Sequence, residues 1–147
     1  MRVFRFVDIT ALVLVAALLA VGCDGSSTES TVDATAGNGS GVEFGKGSVP
    51  ETVPDSFPIP EQAVVGTTLI DTNRGVTEMV LTLPAALPAA VEYYDENLPA
   101  RGYEISSSDG TETKWSIEFA GEGLTGIITV NSEGSGLSSA TVRLTSV

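Results

Sequence analysis

The stretch VTEMVLTLPAALPAAVEYYDENL, residues 76–98, contains a strand pattern followed by a helix pattern. Apolar residues alternate through its first eight positions, which is the period of a half-buried strand: Met79, Leu81 and Leu83. Pro84 and Pro88 end that alternation, and Pro88 suits the first turn of a helix because its missing N–H has no partner there. Apolar residues then recur every three or four positions, which is the period of one helical face: Leu87, Val91, Tyr94 and Leu98.

Strand patterns on both sides of this stretch predict an antiparallel sheet. Before it, residues 63–70 form a strand, and the turn residues 71–75 make a hairpin with residues 76–83. After it, Pro99 and Gly102 end the helix. Four further strands begin at Tyr103, Trp115, Leu124 and Ala140, with turns at 106–110, 121–123 and 132–136. The order is ββαββββ, so we expect an α+β fold of about six strands with one helix packed on one face.

The alternation divides the sheet residues between two faces. The helix side should receive three apolar sets: Met79, Leu81 and Leu83; Trp115, Ile117 and Phe119; and Ala140, Val142 and Leu144. The opposite face should be polar and rich in threonine: Thr82, Ser116, Glu118, Thr141, Arg143 and Thr145. Because one helix covers one face only, this polar face is either solvated surface or a docking face.

A short apolar run near the start of the chain ends in its single cysteine, Cys23. Arg2 and Arg5 precede the run, which covers residues 9–21 and is shorter than the ~20 apolar residues that a spanning helix needs. This arrangement is typical of a signal peptide, which we assign to residues 1–22. With no second cysteine in the chain, no intramolecular disulfide can form.

Residues 19–23, Leu-Ala-Val-Gly-Cys, resemble the lipobox of bacterial lipoproteins, although the leucine stands one position early. The resemblance implies cleavage before Cys23, a diacylglyceryl group on its thiol and, often, acylation of the new amino group by fatty acids such as palmitate. Two or more acyl chains anchor a protein stably. We therefore expect an extracytoplasmic protein that is lipid-anchored to the bacterial cell membrane.

A second resemblance covers FPIPEQA, residues 57–63, and VEYYDENLPARGYEI, residues 91–105. These stretches are similar to small domains of bacterial secreted lipoproteins, in which a Phe-Pro-x-Pro stretch precedes a hairpin and a helix ends in Leu-Pro-x-x-Gly-aromatic. The resemblance implies a fold and a location, and it assigns no catalytic residue.

The composition changes twice after Cys23. Residues 23–55 are mostly Gly, Ser, Thr and acidic residues, which cannot bury enough apolar surface to fold, so we predict a flexible tether. Prolines recur between residues 49 and 60 and predict an extended segment, from which Phe57 and Ile59 dock on the edge of the domain. The α+β domain is placed at residues 56–147, a length that supports one modest core.

The chain is acidic, with 7 basic and 19 acidic residues and a formal net charge of −12. Removing residues 1–22 takes away Arg2, Arg5 and Asp8, which leaves 5 basic and 18 acidic residues and a net charge of −13. Such a charge repels nucleic acid and anionic lipid headgroups, so neither is expected as a partner. The expected partners are the membrane, through the lipid anchor at Cys23, and an envelope protein.

Several residue types needed for common enzyme chemistry are missing. The sequence has no histidine, which excludes Ser-His-Asp hydrolysis and His-ligated metal sites, and a lipidated Cys23 offers no thiol. Glu92, Asp95 and Glu96 are neighbours on the helix, where a solvated face is a simpler interpretation than a catalytic carboxylate pair. Residues 71–75 begin like a calcium loop, but the glycine falls at the fifth position and the twelfth is no glutamate. We expect no enzyme, no cofactor and no metal.

Four aromatic side chains are candidates for ligand or partner contact: Tyr93, Tyr94, Tyr103 and Trp115. Tyr94 and Trp115 belong to the expected core, and Tyr93 lies off the apolar stripe of the helix. The favoured hypothesis is a non-enzymatic protein-binding or structural module of the envelope. Its site would be the open sheet face or a sheet edge, through strand addition.

Two alternatives remain. One is a small-ligand carrier or sensor whose ligand lies between helix and sheet, lined by Tyr94, Tyr103 and Trp115. The other is a hydrolase that uses the helix carboxylates. A cavity between helix and sheet would favour the carrier, whereas a tightly packed core with an exposed apolar or Thr-rich patch would favour the protein-binding module.

Overall fold

A computed structural model describes residues 41–147, which form a seven-stranded antiparallel sheet and one helix. In chain order the elements are β1 (Val42–Lys46), β2 (Val64–Asp71), β3 (Val76–Leu83), α1 (Leu87–Ala100), β4 (Glu104–Gly110), β5 (Lys114–Gly121), β6 (Leu124–Gly134) and β7 (Leu137–Ser146). The strand order across the sheet is β1-β2-β3-β7-β6-β5-β4. The α+β class is confirmed, and so is the position of the helix in the chain, after the first predicted hairpin and before the other predicted strands. The sheet, however, has seven strands instead of six. Cys23 and the signal-peptide assignment lie outside the described residues.

The additional strand, β1, lies within the segment predicted to be a flexible tether, residues 23–55. Its five residues pair in antiparallel register with the second half of β2. The prediction for residues 42–46 is therefore wrong. Composition misses this strand because an edge strand is held by its backbone pairing while most of its side chains stay exposed.

The proline-rich segment, residues 50–63, forms three successive turns and not the extended chain that we expected. In each turn a proline carbonyl accepts a hydrogen bond from the amide three residues later: Pro50 from Val53 at 3.0 Å, Pro54 from Phe57 at 2.9 Å and Pro60 from Ala63 at 2.9 Å. Proline loses its N–H but keeps its carbonyl as an acceptor, so it can begin such a turn. Val53 and Phe57 are buried in the core, and Ile59 is half-buried against it, so the apolar side chains of this segment belong to the core and not to an edge contact.

Helix α1 ends at the Leu-Pro-x-x-Gly-aromatic sequence. The Tyr103 amide donates to the Leu98 carbonyl at 3.0 Å and the Gly102 amide to the Pro99 carbonyl at 3.1 Å, which are the two hydrogen bonds of a Schellman motif. Gly102 has a φ of +88°, a conformation that glycine adopts without the steric cost of a Cβ. The two apolar residues of the motif, Leu98 and Tyr103, are both buried, so the motif also connects the helix to the core.

The serine-rich stretch 106–110, which we predicted to be a turn, belongs to β4. The turn follows it, where the Thr111 amide donates to the Lys114 carbonyl at 2.7 Å. A register shift between Ile105 and Ser107 places a bulge in this edge strand. Small polar residues are tolerated at such an edge because few of their side chains need to be buried.

The β5–β6 and β6–β7 hairpin turns have two residues each. Glu122 and Gly123 join β5 to β6 with φ values of 51° and 76°, and Ser135 and Gly136 join β6 to β7 with 52° and 76°. Positive φ at both central residues is the signature of a type I′ turn. Both turns fall within the predicted ranges but are shorter than 121–123 and 132–136, because β5 continues to Gly121 and β6 to Gly134.

The core lies between one face of the sheet and a layer made of α1 and the proline-rich segment. α1 packs against β4, β5, β6 and β7. The proline-rich segment reaches β3, where the Thr52 and Thr77 hydroxyls are hydrogen-bonded at 2.6 Å. The three apolar sets predicted for the helix side are buried, except for Trp115, which is half-buried. The polar set predicted for the opposite face is exposed or half-buried there, as expected.

Candidate functional site

The structure separates the four aromatic residues that the sequence singled out. Tyr94 and Tyr103 are 0% and 2% exposed and fill the core. Tyr93 and Trp115 are half-buried and pack against that core from outside. The alternative of a small-ligand carrier places Tyr94, Tyr103 and Trp115 around one ligand. Of these three residues, only Trp115 lines the groove described below.

Tyr103 belongs to an aromatic cluster with Phe57 and Phe119. Its ring centroid lies 6.1 Å from that of Phe57 and 5.5 Å from that of Phe119, both edge-on. Its hydroxyl is hydrogen-bonded to the Ser56 hydroxyl at 3.0 Å, and Ser56 also donates to a Glu122 carboxylate oxygen at 2.6 Å. These contacts connect the proline-rich segment to Tyr103 just before β4, to Phe119 of β5 and to the β5–β6 turn, which gives Tyr103 a structural role.

Tyr93 and Tyr94 pack edge-on, with ring centroids 5.3 Å apart. The Tyr94 hydroxyl is buried and has no hydrogen-bond partner among the described residues. Burial raises the pKa of Tyr94 well above its ordinary value, and the neighbouring Tyr93 adds to this. The pKa of Tyr93 is also raised, mainly by burial; Arg101 opposes this and Glu61 adds to it.

Trp115 lies in a groove between the first three turns of α1 and the β4–β5 turn. We call it the Trp115 groove, and its volume is about 510 Å³. Its apolar wall comes from Leu87, Pro88, Val91 and Trp115. Its polar residues are four carboxylates and one hydroxyl: Glu92, Asp95, Glu96, Glu112 and Thr111. The groove is therefore an apolar surface bordered by negative charge.

Hydrogen bonds hold the Trp115 indole in place. Its Nε1 donates to the Ser108 hydroxyl at 3.0 Å, and that hydroxyl donates to an Asp95 carboxylate oxygen at 2.9 Å. Gly110 lies opposite Trp115 in the β4–β5 pairing. A Cβ at Gly110 would lie 2.4 Å from the Lys114 carbonyl oxygen and 2.9 Å from the indole. This arrangement fixes the side chain relative to both β4 and α1.

The second candidate surface is the sheet face opposite α1, which we call the open face. One residue from each strand forms a continuous cross-strand row on it: Phe44, Leu69, Glu78, Arg143, Ile127, Glu118 and Ser107. Phe44 is 69% exposed and Ile127 is 43% exposed. A shallow depression of about 320 Å³ lies beside Ile127 and Arg143. The open face therefore combines exposed apolar side chains with charged ones and with Thr125 and Thr145, which line the depression.

Both sheet edges have features that discourage strand addition. β1 is only five residues long and ends in Lys46. β4 carries a bulge and the acidic residues Glu104 and Asp109. Short length, charge and bulges are the usual means by which an edge strand avoids pairing with another chain.

Neither a metal site nor a membrane-spanning helix is found in residues 41–147. No group of three or more His, Cys, Asp or Glu residues in this range could hold a metal ion. The Asp71 carboxylate accepts hydrogen bonds from the amides of Asn73 and Arg74 at 3.1 and 3.2 Å. Residues 71–75, which begin like a calcium loop, therefore form a hairpin turn. α1, the helix of this range, is too short and too polar to cross a bilayer.

Comparison of the chain with known protein families, with curated proteins and with solved structures finds no match.

Sequence reasoning missed the groove because its residues come from separate elements. The sequence alone indicates a solvated helix face for Glu92, Asp95 and Glu96, and it has no feature that points to Glu112. One feature of the sequence does point to the groove: Gly110 and Trp115 stand on opposite sides of a short turn. Glycine in a strand often marks the close approach of another group.

Proposed function

We propose that this protein is a lipid-anchored, extracytoplasmic and non-enzymatic module that binds another envelope protein on the open face of its sheet. The observation that carries this proposal is the open face itself. Within residues 41–147 the one helix packs on the other side of the seven-stranded sheet, and two large apolar side chains, Phe44 and Ile127, are exposed on the open face. Exposed apolar patches bordered by polar residues are typical of protein interaction sites.

The composition of the open face suits docking. Threonines such as Thr129 and Thr141, which are directly paired, have a restricted χ1. Little side-chain entropy is lost when such residues are ordered by a partner. Arg143 lies next to Ile127 in the cross-strand row, and arginine is enriched in protein interfaces. Since both sheet edges are protected against strand addition, the open face is a better docking site than either edge.

The location part of the proposal is supported by the sequence of the N-terminal region. A basic start, a short apolar run and the lipobox-like residues 19–23 precede Cys23. A net charge of −13 after cleavage would keep the domain away from an anionic membrane surface. The module would thus be held near the membrane with its sheet free to meet a partner.

Site-specific photo-crosslinking in intact cells tests the docking face. The anchored protein carries a photoreactive residue at Thr129 on the open face or, as a matched control, at the exposed Ala89 on α1. We expect the Thr129 probe to capture one defined protein that the Ala89 probe does not, and Ile127→Asp to remove the adduct. The same yield from both positions, or none from Thr129 in well-expressed protein, would contradict the proposal.

Metabolic labelling with an alkyne fatty acid tests the anchor. The label should be present in the wild-type protein and absent from Cys23→Ala, since the chain has no other cysteine. Ser26→Ala is the control and should retain the label and the membrane fractionation. A labelled Cys23→Ala variant would show that the anchor is elsewhere.

A second candidate function is favoured by the Trp115 groove. It is small-ligand binding between helix and sheet, because a concave, largely apolar site of about 510 Å³ is within the usual size of small-molecule sites. In this function the groove, and not the open face, is the binding surface.

A further inference from the structure

We propose that the Trp115 groove binds a small organic cation with an apolar body, of the class of protonated alkyl- and arylamines. The assignment rests on the second candidate function above and adds the chemical class of the ligand. It is independent of the docking role of the open face, which lies on the other side of the sheet.

The apolar wall of the groove can hold the uncharged part of such a ligand. The exposed Pro88 of α1 and the half-buried Trp115 of β5 present hydrocarbon surface to the groove, and the buried Leu87 and Val91 add smaller areas. Removing apolar area from water is the main favourable contribution for a ligand of this size. Because the indole is already fixed by Ser108 and Gly110, little side-chain ordering is needed on binding.

The charge of the groove selects the sign of the ligand. Glu92, Glu96 and Glu112 are exposed around it and Asp95 is half-buried, whereas no basic side chain is found among its lining residues. Lys114 follows Glu112 and Thr113, but it alternates with Trp115 along β5 and belongs to the other face. An ammonium group would therefore meet several carboxylates, and an anion would be repelled.

Trp115 adds a second preference for a cation. An indole attracts an ammonium group that lies over its ring more strongly than the other aromatic side chains do. Aromatic side chains recognise alkylated ammonium groups in this way, and the carboxylates around the groove add a Coulomb attraction for the same charge. An uncharged ligand of the same shape would lose both contributions.

Other occupants fit the groove less well. Residues 24–40 of the same chain carry Asp24, Glu29 and Asp33 and no basic residue, so the groove would repel them. A metal ion is disfavoured because the described carboxylates form no group that could hold one. A basic peptide segment from a partner would need a larger contact area than this groove provides, since specific protein interfaces bury roughly 800 Å² on each side.

The fluorescence of Trp115 gives a direct test, because it is the single tryptophan of the chain. The full chain, purified in a non-ionic detergent, is titrated with three small probes of similar shape: 2-phenylethylammonium, 2-phenylethanol and phenylacetate. We expect saturable binding of the cation, at least ~10-fold tighter than that of the alcohol, and no binding of the anion. Added salt should weaken the binding of the cation and leave the binding of the alcohol unchanged.

Charge variants separate a specific site from general attraction. Glu92→Gln and Glu112→Gln should each weaken cation binding by about threefold, and the double variant should weaken it further. Glu51→Gln is the matched control, because it removes the same charge from a turn whose neighbour Thr52 is bonded to Thr77 of β3, and none of these three residues lines the groove. It should leave the titration unchanged.

Each alternative result overturns the inference in a recognisable way. Equal binding of cation and alcohol would refute the charge class and leave the small-ligand function standing. If Glu51→Gln weakened cation binding as much as Glu92→Gln does, the cation would be attracted nonspecifically to an acidic protein. Binding of oligolysine peptides without binding of the small cation would assign the groove to a basic partner segment. No response to any of these probes would refute both the inference and the second candidate function.

Discussion

Tyr94 and Tyr103 are both buried, yet only one of their hydroxyls has a partner. Tyr103 is hydrogen-bonded to Ser56 at 3.0 Å, whereas the Tyr94 hydroxyl has no partner in the described part of the chain. A buried polar group without a partner loses its hydration and gains nothing in return, at a cost of roughly 1–3 kcal/mol. The two residues therefore respond differently to the same substitution.

Tyr94→Phe should leave the free energy of unfolding unchanged or raise it by about 1 kcal/mol, because it removes the unpaired hydroxyl and keeps the ring. Tyr103→Phe is the matched control and should lower that free energy by about 1 kcal/mol, because it removes a hydrogen bond. Urea denaturation measures both values. A loss in Tyr94→Phe as large as that in Tyr103→Phe would show that the Tyr94 hydroxyl has a partner.

Alkaline pH should destabilise the fold through Tyr94. Burial raises its pKa in the folded state above the ordinary value of 10.0, which applies in the unfolded state. Above pH 10.0 the unfolded chain releases this proton while the folded chain keeps it, so the free energy of unfolding falls as pH rises. The fall is up to about 1.4 kcal/mol per pH unit until the folded pKa is reached.

Thermal unfolding on both sides of pH 10 measures this effect. The wild type should lose stability steeply above that pH, and Tyr94→Phe should lose less, because one of the groups with a raised pKa is gone. The half-buried Tyr93, whose pKa is also raised, should account for part of the remainder. Identical profiles for the wild type and Tyr94→Phe would contradict the assignment.

At the scale of elements, the end of α1 shows how a short sequence specifies local structure. Its Schellman motif needs a left-handed residue after the helix, and Gly102 supplies it with a φ of +88°. A Cβ at this position would meet no other group within 4 Å, so the backbone conformation alone accounts for the glycine.

Gly102→Ala should lower the free energy of unfolding by about 1 kcal/mol, because an L side chain is strained in the left-handed region. Gly102→Asn is the matched control and should lose less, because asparagine adopts this conformation more readily. Chemical denaturation distinguishes the two variants. Equal losses would indicate that packing around Gly102, and not its φ, sets the cost.

Strand pairings between elements that are distant in the sequence could be predicted less accurately than the local end of α1. β3 pairs with β7, about 60 residues away, and the register follows from the apolar alternation of both strands. The serine-rich end of β4 lacks such alternation and was wrongly predicted to be a turn. Its pairing with β5 compensates for weak local preference, which is common where tertiary contacts override composition.

At the scale of the whole molecule, the boundary of the domain depends on segments with little apolar content. β1 pairs with β2, and Val53 is buried, yet both precede residue 56. A protein that begins at residue 56 should therefore unfold at a lower temperature than one that begins at residue 41. Loss of the Val53 side chain alone should lower the free energy of unfolding by about 1.5 kcal/mol.

Calorimetry of the two truncated proteins tests this boundary, with Val53→Ala in the longer protein as a control for the side chain. The shorter protein should be less stable than Val53→Ala, because it also lacks the β1 pairing. Equal stability of the two truncated proteins would restore the boundary at residue 56 that composition predicts.

The sequence by itself determined the helix, most of the strands and the division of the sheet into an apolar and a polar face. Those features depend on local periodicity and on turn residues such as Pro88 and Gly102, whose effects act within a few residues. It also indicated which tyrosine of the helix belongs to the core.

Only the tertiary structure decided the strand β1, the turns of the proline-rich segment and the Trp115 groove. β1 is held by backbone pairing, which leaves no mark on composition. The groove needs Val91 of the helix, Glu112 of a turn and Trp115 of a strand to meet, and their distances depend on how α1 packs across the sheet. Such contacts arise from packing between elements and have no local period in the sequence.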